Sequence, residues 1–335
     1  MKLKCDFDLL KDKSIAITGA TGLIGSAFTR LLLTLNTDYS LNLKIVLLVR
    51  SLEKAVSFFG TPTCIKYYIQ DASNPIENNI GNIDYFILAA CNAYPEAYKE
   101  TPVDVMNANY LGVKNVFDYI IGKQYKPLKV LFVSSSEVYG EYECGDNGVD
   151  EAYEGIVNHY RVRACYTESK RAAETLCLSY ASQYGINVAI ARPGYIFGPT
   201  RMTKNNRADV EFFDCVKNRK PIVMKSPGSQ KRSYCYVEDA VSALLYILLK
   251  GENSEAYNIA LDPKDSITIA EFASLIAEFG KIDLIKSFES GNHGWSPFSK
   301  AILNNEKLKR LGWYSQYTVK EGIEKTICQM KIDME

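Results

Sequence analysis

Short apolar runs alternate with longer amphipathic stretches through the first two-thirds of the chain. The run KIVLLV at Lys44–Val49 is apolar at almost every position, as strands of a parallel sheet covered on both faces require. Comparable runs occur at Ser14–Thr18, Cys64–Ile69, Tyr85–Ala89, Val130–Val133 and Val188–Ala191. Helical candidates lie between them at Ser26–Leu35, Val103–Ile121 and Tyr166–Tyr184. This alternation predicts βαβ units and an α/β fold with a doubly wound parallel sheet.

The pattern changes after Pro193, where the loops become longer and the elements less regular. Two polar loops, GPTRMTKNNR and KSPGSQKRS, lie among predicted helices at Ala208–Lys217, Glu238–Leu249 and Ile269–Phe279. We therefore expect a dinucleotide-binding domain over residues 1–192 and a smaller substrate-binding lobe over residues 193–335. Some elements of the lobe are expected to interleave with the main sheet.

Composition narrows the class of partner. The 335 residues carry 39 basic and 39 acidic side chains, so the formal net charge is +0. A chain with this balance has no general attraction for nucleic acid or an anionic membrane. The longest apolar stretches, such as Ala240–Leu249, are too short to span a bilayer. We expect neither nucleic acid nor a membrane among the partners.

The cysteines and histidines are scattered. None of the nine cysteines forms a C-x-x-C pair, and the two histidines, His159 and His293, are far apart in sequence. This spacing predicts no bound metal. An odd number of cysteines without a recognisable signal peptide favours reduced thiols, so we expect a cytoplasmic location.

Residues 14–28, SIAITGATGLIGSAF, place three glycines directly after the first apolar run. Gly19, Gly22 and Gly25 lie where a strand ends and a helix begins, as the glycines of a dinucleotide-binding fingerprint do. Glycines let the backbone approach a pyrophosphate, whose charge is favoured by free N–H groups at a helix N-terminus. A plain glycine-rich turn is the alternative, and the context favours a Rossmann-like nucleotide cradle.

Further cofactor contacts are expected around this loop and at the ends of other strands. Ligands of α/β sheets bind beside the carboxyl ends of the strands. The residues that we assign to the cofactor on this basis are Thr21, Leu23, Ile24, Ala89, Ala90 and Pro193, together with Tyr166 and Lys170.

Two strand ends bear on the choice of cofactor. A carboxylate at the end of the second strand would select NAD by accepting hydrogen bonds from the ribose, but that strand ends in Arg50-Ser51. Arg50 suits the 2′-phosphate of NADP or stacking on adenine, and a solvated arginine that caps the strand is the alternative. Asp71, after the third strand, suits the adenine amino group. The cofactor is therefore NAD or NADP, and Arg50 favours NADP.

Tyr166 and Lys170 lie four residues apart in CYTESKRAAETL, which places them on one face of a helix. An ammonium beside a phenol favours the phenolate, so we expect Lys170 to lower the pKa of Tyr166 from its usual value of about 10. Such a tyrosine takes a proton from a sugar hydroxyl while hydride leaves the same carbon. The alternative is an exposed pair without a catalytic role.

A polar segment, SSSEVYG, follows the apolar run at Val130–Val133. Ser135 suits the substrate hydroxyl beside Tyr166, and Glu137 suits a proton at a neighbouring carbon. Ser136, between them, is assigned to the substrate. A strand end that merely caps the next turn is the alternative.

These motifs carry a resemblance to a known family. Over residues 13–327 the chain resembles an extended short-chain dehydrogenase/reductase of the NAD-dependent epimerase/dehydratase family. The resemblance implies that Ser135, Tyr166 and Lys170 form the catalytic set. It also implies that Asn109, in NANYLGVKNV, is the structural asparagine of the family.

Within that family the chain is most similar to UDP-glucuronate decarboxylases. Three segments carry the likeness: EGIVNHYRVRACYTESKRAAE, YKETPVDVMNANYLG and GSQKRSYCYVEDAV. The resemblance implies that Arg232 and Arg207 contact the nucleotide diphosphate or the sugar, because the arginine fork suits phosphate oxygens. Arg163 is assigned to the substrate as well. Ordinary surface arginines are the alternative.

Two departures leave the reaction open. Arg50 stands where decarboxylases have an acidic residue. Ser299-Lys300-Ala301 stands where they have an Arg-Lys-Pro segment, whose arginine handles a proton or the substrate carboxylate. The Ser-Ser-Glu triplet at residues 135–137 also suits sugar 4,6-dehydratases, in which the glutamate removes the carbon-5 proton.

We therefore expect an enzyme that binds a nucleotide-diphosphate sugar and oxidises it at carbon 4 with a bound nicotinamide. Decarboxylation, epimerisation or dehydration then follows. One alternative is an NADP-dependent reductase of a nucleotide-linked keto sugar, and another is a non-catalytic dinucleotide-binding sensor or scaffold. The family resemblance further implies a homodimer through the helices Val103–Ile121 and Tyr166–Tyr184.

Overall fold

The computed structural model describes residues 5–141, 144–199, 206–288 and 300–332. The strands are β1 Ser14–Thr18, β2 Lys44–Val49, β3 Ile65–Ile69, β4 Tyr85–Leu88, β5 Lys129–Val133, β6 Val188–Pro193, β7 Tyr195–Phe197, β8 Ile222–Met224, β9 Lys231–Arg232, β10 Tyr234–Tyr236, β11 Glu255–Ile259, β12 Ile267–Thr268, β13 Leu284–Lys286 and β14 Lys300–Ala301. The helices are α1 Leu23–Asp38, α2 Leu52–Phe59, α3 Pro95–Glu100, α4 Pro102–Gly122, α5 Ala164–Tyr184, α6 Ala208–Lys217, α7 Val237–Lys250, α8 Ile269–Gly280, α9 Glu306–Arg310 and α10 Val319–Ile332. Single 3₁₀ turns occur at Phe7–Leu10, Ser136–Tyr139 and Pro263–Asp265.

A seven-stranded sheet with the order β11-β6-β5-β4-β1-β2-β3 forms the centre of the fold. All of its neighbouring strands run parallel. The predicted doubly wound α/β fold is therefore confirmed, and all six predicted strands are present. The order reverses at β1, with β2 on one side and β4 on the other, and such a switch point opens a crevice at the carboxyl ends of the strands.

The sheet is buried on both faces, which explains the continuous apolar runs. Phe28 of α1 and Leu245 of α7 pack with Ile17 on one face. Phe117 of α4 and Cys177 of α5 belong to the core on the other face. The two helix layers leave only the edges and ends of the strands open to ligands.

Helix α1 begins at Leu23, three residues before the predicted Ser26. The reason is that Gly22 already takes the extended conformation of a helix-capping residue, with φ −82° and ψ 173°. Gly25, which the sequence suggests belongs to a loop, is part of the first helical turn. The glycine segment is thus half turn and half helix.

The second half of the chain returns to the main sheet. β11 pairs with β6 in the register Glu255↔Ala189 and becomes the seventh strand. α7 is buried from Val237 to Leu248 except at Glu238 and packs on α1. Three small sheets, formed by β7 with β10, by β12, β9 and β14, and by β8 with β13, complete the fold.

Candidate active site

The three glycines of the first β–α turn differ in their surroundings. Gly19 has a φ of +72°, and a Cβ on it would lie 2.5 Å from the carbonyl oxygen of Ala89. A Cβ on Gly25 would lie 2.3 Å from the carbonyl oxygen of Gly19. A Cβ on Gly22 would meet only that same oxygen, at the ordinary contact distance of 3.4 Å. Gly19 and Gly25 are therefore required by backbone packing, whereas Gly22 leaves room for close approach of a ligand.

The N-terminus of α1 suits an anion. Among the described residues no side chain caps its first turn. The amides of Leu23, Ile24 and Gly25 have no acceptor within the helix, and the partial positive charge of the helix collects at this end. The cradle at Gly22 and the open helix end fit the pyrophosphate of a dinucleotide.

β1 and β4 are joined at the crevice. The Thr18 hydroxyl accepts hydrogen bonds from the backbone amides of Ala89, at 3.2 Å, and Ala90, at 3.3 Å. Thr21, Ala89 and Ala90 are half-buried, and Pro193 is buried at the end of β6. The structure places these predicted cofactor contacts at strand and loop ends. Their contact with the cofactor stays a prediction.

Arg50 and Asp71 occupy the ends of β2 and β3. Arg50 is exposed, and Ser51 caps α2 by accepting a hydrogen bond from the amide of Lys54 at 3.2 Å. Asp71 is half-buried, and its carboxylate accepts a hydrogen bond from the amide of Ser73 at 2.8 Å. No acidic residue takes the place of Arg50 at the end of β2. Selection between NAD and NADP at this place stays a prediction.

Ser135, Tyr166 and Lys170 form one buried cluster after β5 and in the first turns of α5. Their exposed fractions are 9%, 5% and 1%. The Ser135 side chain is close enough to that of Tyr166 to lower its pKa. The Lys170 ammonium donates to the carbonyl oxygen of Val133 at 2.7 Å. The structure thus brings the three predicted catalytic residues together, and their chemical roles stay predictions.

The predicted direction of the Tyr166 pKa is wrong. Burial raises the pKa of Tyr166 well above 10, and nearby acidic groups that include Glu137 raise it further. The opposing effects come from the hydrogen bond with Ser135 and the charge of Arg207. The Lys170 ammonium lies 6.0 Å from the centroid of the Tyr166 ring, and burial lowers its own pKa. Desolvation therefore outweighs the effects of Ser135 and Arg207, which lower the pKa of Tyr166.

Glu137 lies in the 3₁₀ turn that follows Ser135, and its carboxylate is paired. Nη2 of Arg163 donates to both of its oxygens, at 3.1 and 2.9 Å, and the Thr167 hydroxyl donates at 3.4 Å. Ser136 is half-buried in the same turn. The structure thus sets Arg163, which the sequence assigns to the substrate, against Glu137.

Tyr98 of α3 is a neighbour of the cluster that the sequence analysis missed. Its side chain is 4% exposed, and its ring stacks on that of Tyr166 with the centroids 4.9 Å apart. The guanidinium carbon of Arg163 lies 4.4 Å from the Tyr98 ring centroid. A single tyrosine in a short polar helix has no pattern that marks it in the sequence.

The two arginines assigned to the substrate phosphates are not ordinary surface residues. Arg207 precedes α6 and pairs with Asp209 through a hydrogen bond from Nε of 3.0 Å. Arg232 is only 2% exposed, and its guanidinium carbon lies 5.2 Å from the ring centroid of Tyr195. Their contact with a nucleotide sugar stays a prediction.

A buried ion pair joins α5 to β6. Arg192 donates to Glu174 through Nε at 3.0 Å and Nη2 at 2.6 Å. Nη1 of Arg192 donates to the Tyr139 hydroxyl at 3.1 Å, and that hydroxyl donates to Asn258 at 2.6 Å. Glu174 follows Lys170 by one helical turn, so the pair anchors the helix that carries the catalytic candidates. The partners lie far apart in sequence, and no local motif reveals them.

Asn109 links α4 to α5. It is fully buried, and its amide nitrogen donates to the Ser169 hydroxyl at 3.0 Å. Ser169 precedes Lys170, so the contact supports the expected structural role of this asparagine.

Within the described ranges, no group of three or more His, Cys, Asp and Glu side chains is placed to hold a metal ion. No helix in the same ranges has the length and apolar character needed to cross a membrane.

The fold and the cluster define the class of protein, which is an α/β enzyme of the short-chain dehydrogenase/reductase type. The chain matches the NAD dependent epimerase/dehydratase family over residues 15–260. It belongs to that family, so the resemblance inferred from the sequence is confirmed.

Two relatives are similar over most of the chain. UDP-glucuronic acid decarboxylase 6 of Arabidopsis thaliana is 30% identical over 310 residues, which cover 92% of this chain and 86% of that protein. UDP-glucuronic acid decarboxylase 1 of Xenopus tropicalis is 28% identical over 334 residues, which cover 96% of this chain and 73% of that protein.

Solved structures share the fold at lower identity. UDP-glucuronic acid 4-epimerase from Bacillus cereus, in complex with UDP-glucuronic acid and NAD, is similar with a TM-score of 0.80 at 20% identity, covering 95% of this chain and 99% of that chain. A dTDP-glucose 4,6-dehydratase from Streptomyces venezuelae, with NAD and TYD bound, has a TM-score of 0.80 at 18% identity, covering 96% and 97%. These similarities confirm the predicted architecture.

Proposed function

We propose that the protein oxidises carbon 4 of a nucleotide-diphosphate sugar and uses the resulting ketone to drive a second reaction. The observation that carries this proposal is the buried cluster of Ser135, Tyr166 and Lys170 at the carboxyl edge of a dinucleotide-binding sheet. The relatives described above are all enzymes named for nucleotide sugars, which supports the substrate class.

Ser135 and Tyr166 have different roles in the proposed oxidation. Ser135 holds the sugar 4-hydroxyl against Tyr166, which takes its proton. A nicotinamide bound at the glycine turn would accept the hydride from that carbon and later return it. Burial disfavours the phenolate of Tyr166, and the Ser135 side chain and the positive charge of Arg207 act in the opposite direction and favour proton removal.

The second reaction depends on the group at carbon 5. The ketone acidifies the adjacent carbon, so a carboxylate there would leave as carbon dioxide, and otherwise Glu137 would move a proton. In the segment where decarboxylases carry their arginine, Lys300 pairs with Asp146 at 2.7 Å, and Ser299 lies outside the described residues. Decarboxylation, epimerisation and dehydration all start from the same keto sugar.

Product analysis separates these branches. The purified enzyme is incubated separately with UDP-glucuronate, UDP-glucose and dTDP-glucose, and the products are identified by mass and NMR. Loss of carbon dioxide indicates decarboxylation, loss of water indicates dehydration, and an unchanged mass with altered couplings indicates epimerisation. If no nucleotide sugar is converted while the cofactor is bound, the proposal is refuted.

A second candidate is a net NADP-dependent reductase of a nucleotide-linked keto sugar. Arg50, exposed at the end of β2 where an acid would select NAD, supports it. A reductase would consume NADPH in proportion to product and release the oxidised cofactor. Retention of the cofactor through purification and many turnovers would favour the recycling enzyme instead.

Residues 193–335 are proposed to form the substrate-binding lobe, because Arg207 and Arg232 both come from this part of the chain. A cytoplasmic location is proposed as well, since all nine cysteines are free thiols and a reducing compartment maintains that state.

We also propose a homodimer through α4 and α5. Val103, Met106 and Tyr110 follow one another along α4 at helical spacing, and their exposed fractions are 66%, 44% and 36%. Leu178 of α5 is 39% exposed. Apolar side chains grouped in this way mark interaction sites. Met106→Glu should lower the mass found by sedimentation equilibrium from dimer to monomer, and an unchanged mass would refute this interface.

A further inference from the structure

The ion pair between Arg163 and Glu137 has little value for stability. The two side chains are 52% and 36% exposed. Ion pairs exposed to this degree contribute little to the stability of a fold.

A second contact fixes the position of Arg163. Its guanidinium carbon lies 4.4 Å from the Tyr98 ring centroid, a cation–π distance. Tyr98 is buried and stacks on Tyr166. A continuous series of contacts thus runs from the catalytic tyrosine through Tyr98 and Arg163 to the carboxylate of Glu137.

Glu137 is also tied to the cluster through its backbone. Its amide donates to the Ser135 hydroxyl at 3.2 Å, and the Ser135 side chain lies close enough to Tyr166 to lower its pKa. Because the backbone and the carboxylate are both held, the carboxylate has a defined orientation relative to Tyr166. Such preorganisation is what a proton-transfer group requires.

Arg163 supplies a permanent charge at this place. Burial lowers the pKa of Arg163, but the charge of Glu137 and the hydrogen bonds to it outweigh burial and raise that pKa above its ordinary value. The guanidinium therefore exchanges no proton itself. It holds both oxygens of the Glu137 carboxylate, the group that is placed to exchange one.

We propose that Arg163 is a positioning residue that holds the carboxylate of Glu137 aimed for proton exchange at carbon 5 of the keto sugar. This inference rests on the proposed function and gives Arg163 a role through Glu137 rather than through direct contact with substrate. In the step, the bond between carbon 5 and hydrogen breaks, and the proton joins an oxygen of Glu137. The electron pair forms the enolate of the carbon-4 ketone, and the reverse step returns the proton to carbon 5.

The test separates oxidation at carbon 4 from proton exchange at carbon 5. Wild type, Arg163→Met, Arg163→Lys and Glu137→Gln are incubated with UDP-glucuronate and with UDP-glucose in deuterium oxide. Absorbance of the reduced nicotinamide reports oxidation, and mass spectrometry reports deuterium at carbon 5. Arg161→Met is the matched control, because Arg161 is exposed and lies two residues before Arg163.

Arg163→Met should oxidise the sugar at close to the wild-type rate, slow deuterium incorporation by about tenfold or more, and accumulate reduced cofactor. Arg163→Lys should recover part of the exchange, because lysine keeps the charge without the planar fork. Adding Glu137→Gln to Arg163→Met should slow exchange no further than Glu137→Gln alone. Arg161→Met should resemble wild type.

Two results would overturn the inference. One is exchange at the wild-type rate in Arg163→Met, and the other is an equal loss of oxidation and exchange, which a merely structural role predicts. A wild-type enzyme that oxidises no nucleotide sugar would instead overturn the proposed function, and the role of Arg163 with it.

Discussion

Alanine substitutions at Gly25 and Gly22 should affect different properties. Gly25→Ala should lower the stability of the fold, whereas Gly22→Ala should lower the affinity for the cofactor. A Cβ on Gly25 would lie 2.3 Å from the carbonyl oxygen of Gly19 and 2.9 Å from its carbonyl carbon. Both are backbone atoms, so the first turn of α1 must shift. Overpacking of this kind costs about 1–3 kcal/mol. We expect Gly25→Ala to lower the free energy of unfolding by about 2 kcal/mol.

Gly22→Ala should leave the fold nearly unchanged. The backbone at Gly22 has φ −82° and ψ 173°, which any residue adopts, and its Cβ would meet only one atom, at 3.4 Å. Replacing glycine by alanine at a helix-capping position changes stability by less than about 1 kcal/mol. The added methyl group would, however, occupy the space through which a pyrophosphate approaches the backbone. We expect cofactor affinity to fall by about tenfold or more, which corresponds to about 1.4 kcal/mol.

Two measurements on each variant check this pair. Urea unfolding gives the free energy of unfolding, and isothermal titration calorimetry with NAD and with NADP gives the affinity. Wild-type affinity in Gly22→Ala would refute the assignment of this glycine to the cofactor. Wild-type stability in Gly25→Ala would refute the packing argument.

Three further predictions concern helix α5, its ion pair with β6, and a buried lysine. Tyr166→Phe should abolish sugar turnover while cofactor affinity in calorimetry stays unchanged, because only the hydroxyl is lost; an undiminished rate would contradict its role. Arg192→Met leaves the buried carboxylate of Glu174 unpaired and should lower the free energy of unfolding by about 3–5 kcal/mol in urea, and adding Glu174→Gln should restore part of this loss. Burial lowers the pKa of Lys129 from 10.5, so at this group the unfolded chain binds more protons than the folded chain between the lowered value and 10.5. In alkaline urea titrations, the free energy of unfolding of wild type minus that of Lys129→Met should therefore rise with pH across that interval, and a difference that does not change with pH would refute burial of Lys129 as the cause.

The strands were predictable because burial on both faces leaves a local signature. The run at Lys44–Val49 is apolar along its length, and the structure has a strand with the same bounds. The start of α1 was less predictable. Glycine in a first helical turn looks like a loop in the sequence, and the packing of Gly25 against Gly19, which requires a glycine there, depends on the folded structure.

The candidate site likewise contains some residues that the sequence predicts and others that it does not. Tyr166 and Lys170 were found because four-residue spacing is a local property of a helix. Tyr98 and the pair of Glu174 with Arg192 were not found, because their contacts depend on how separate elements pack. The direction of the Tyr166 pKa shift also depends on tertiary burial, which four-residue spacing does not show.

The pairing of β11 with β6 has a consequence for synthesis on the ribosome. When β6 has emerged, six strands of the main sheet exist, and the outer edge of β6 still presents unpaired backbone groups. The 66 residues from Gly194 to Ile259 must be translated before β11 covers that edge. At about 5–20 residues per second this takes about 3–13 seconds. During that interval the nascent chain is most exposed to pairing with the wrong strand, and a chaperone that shields the edge of β6 would act then.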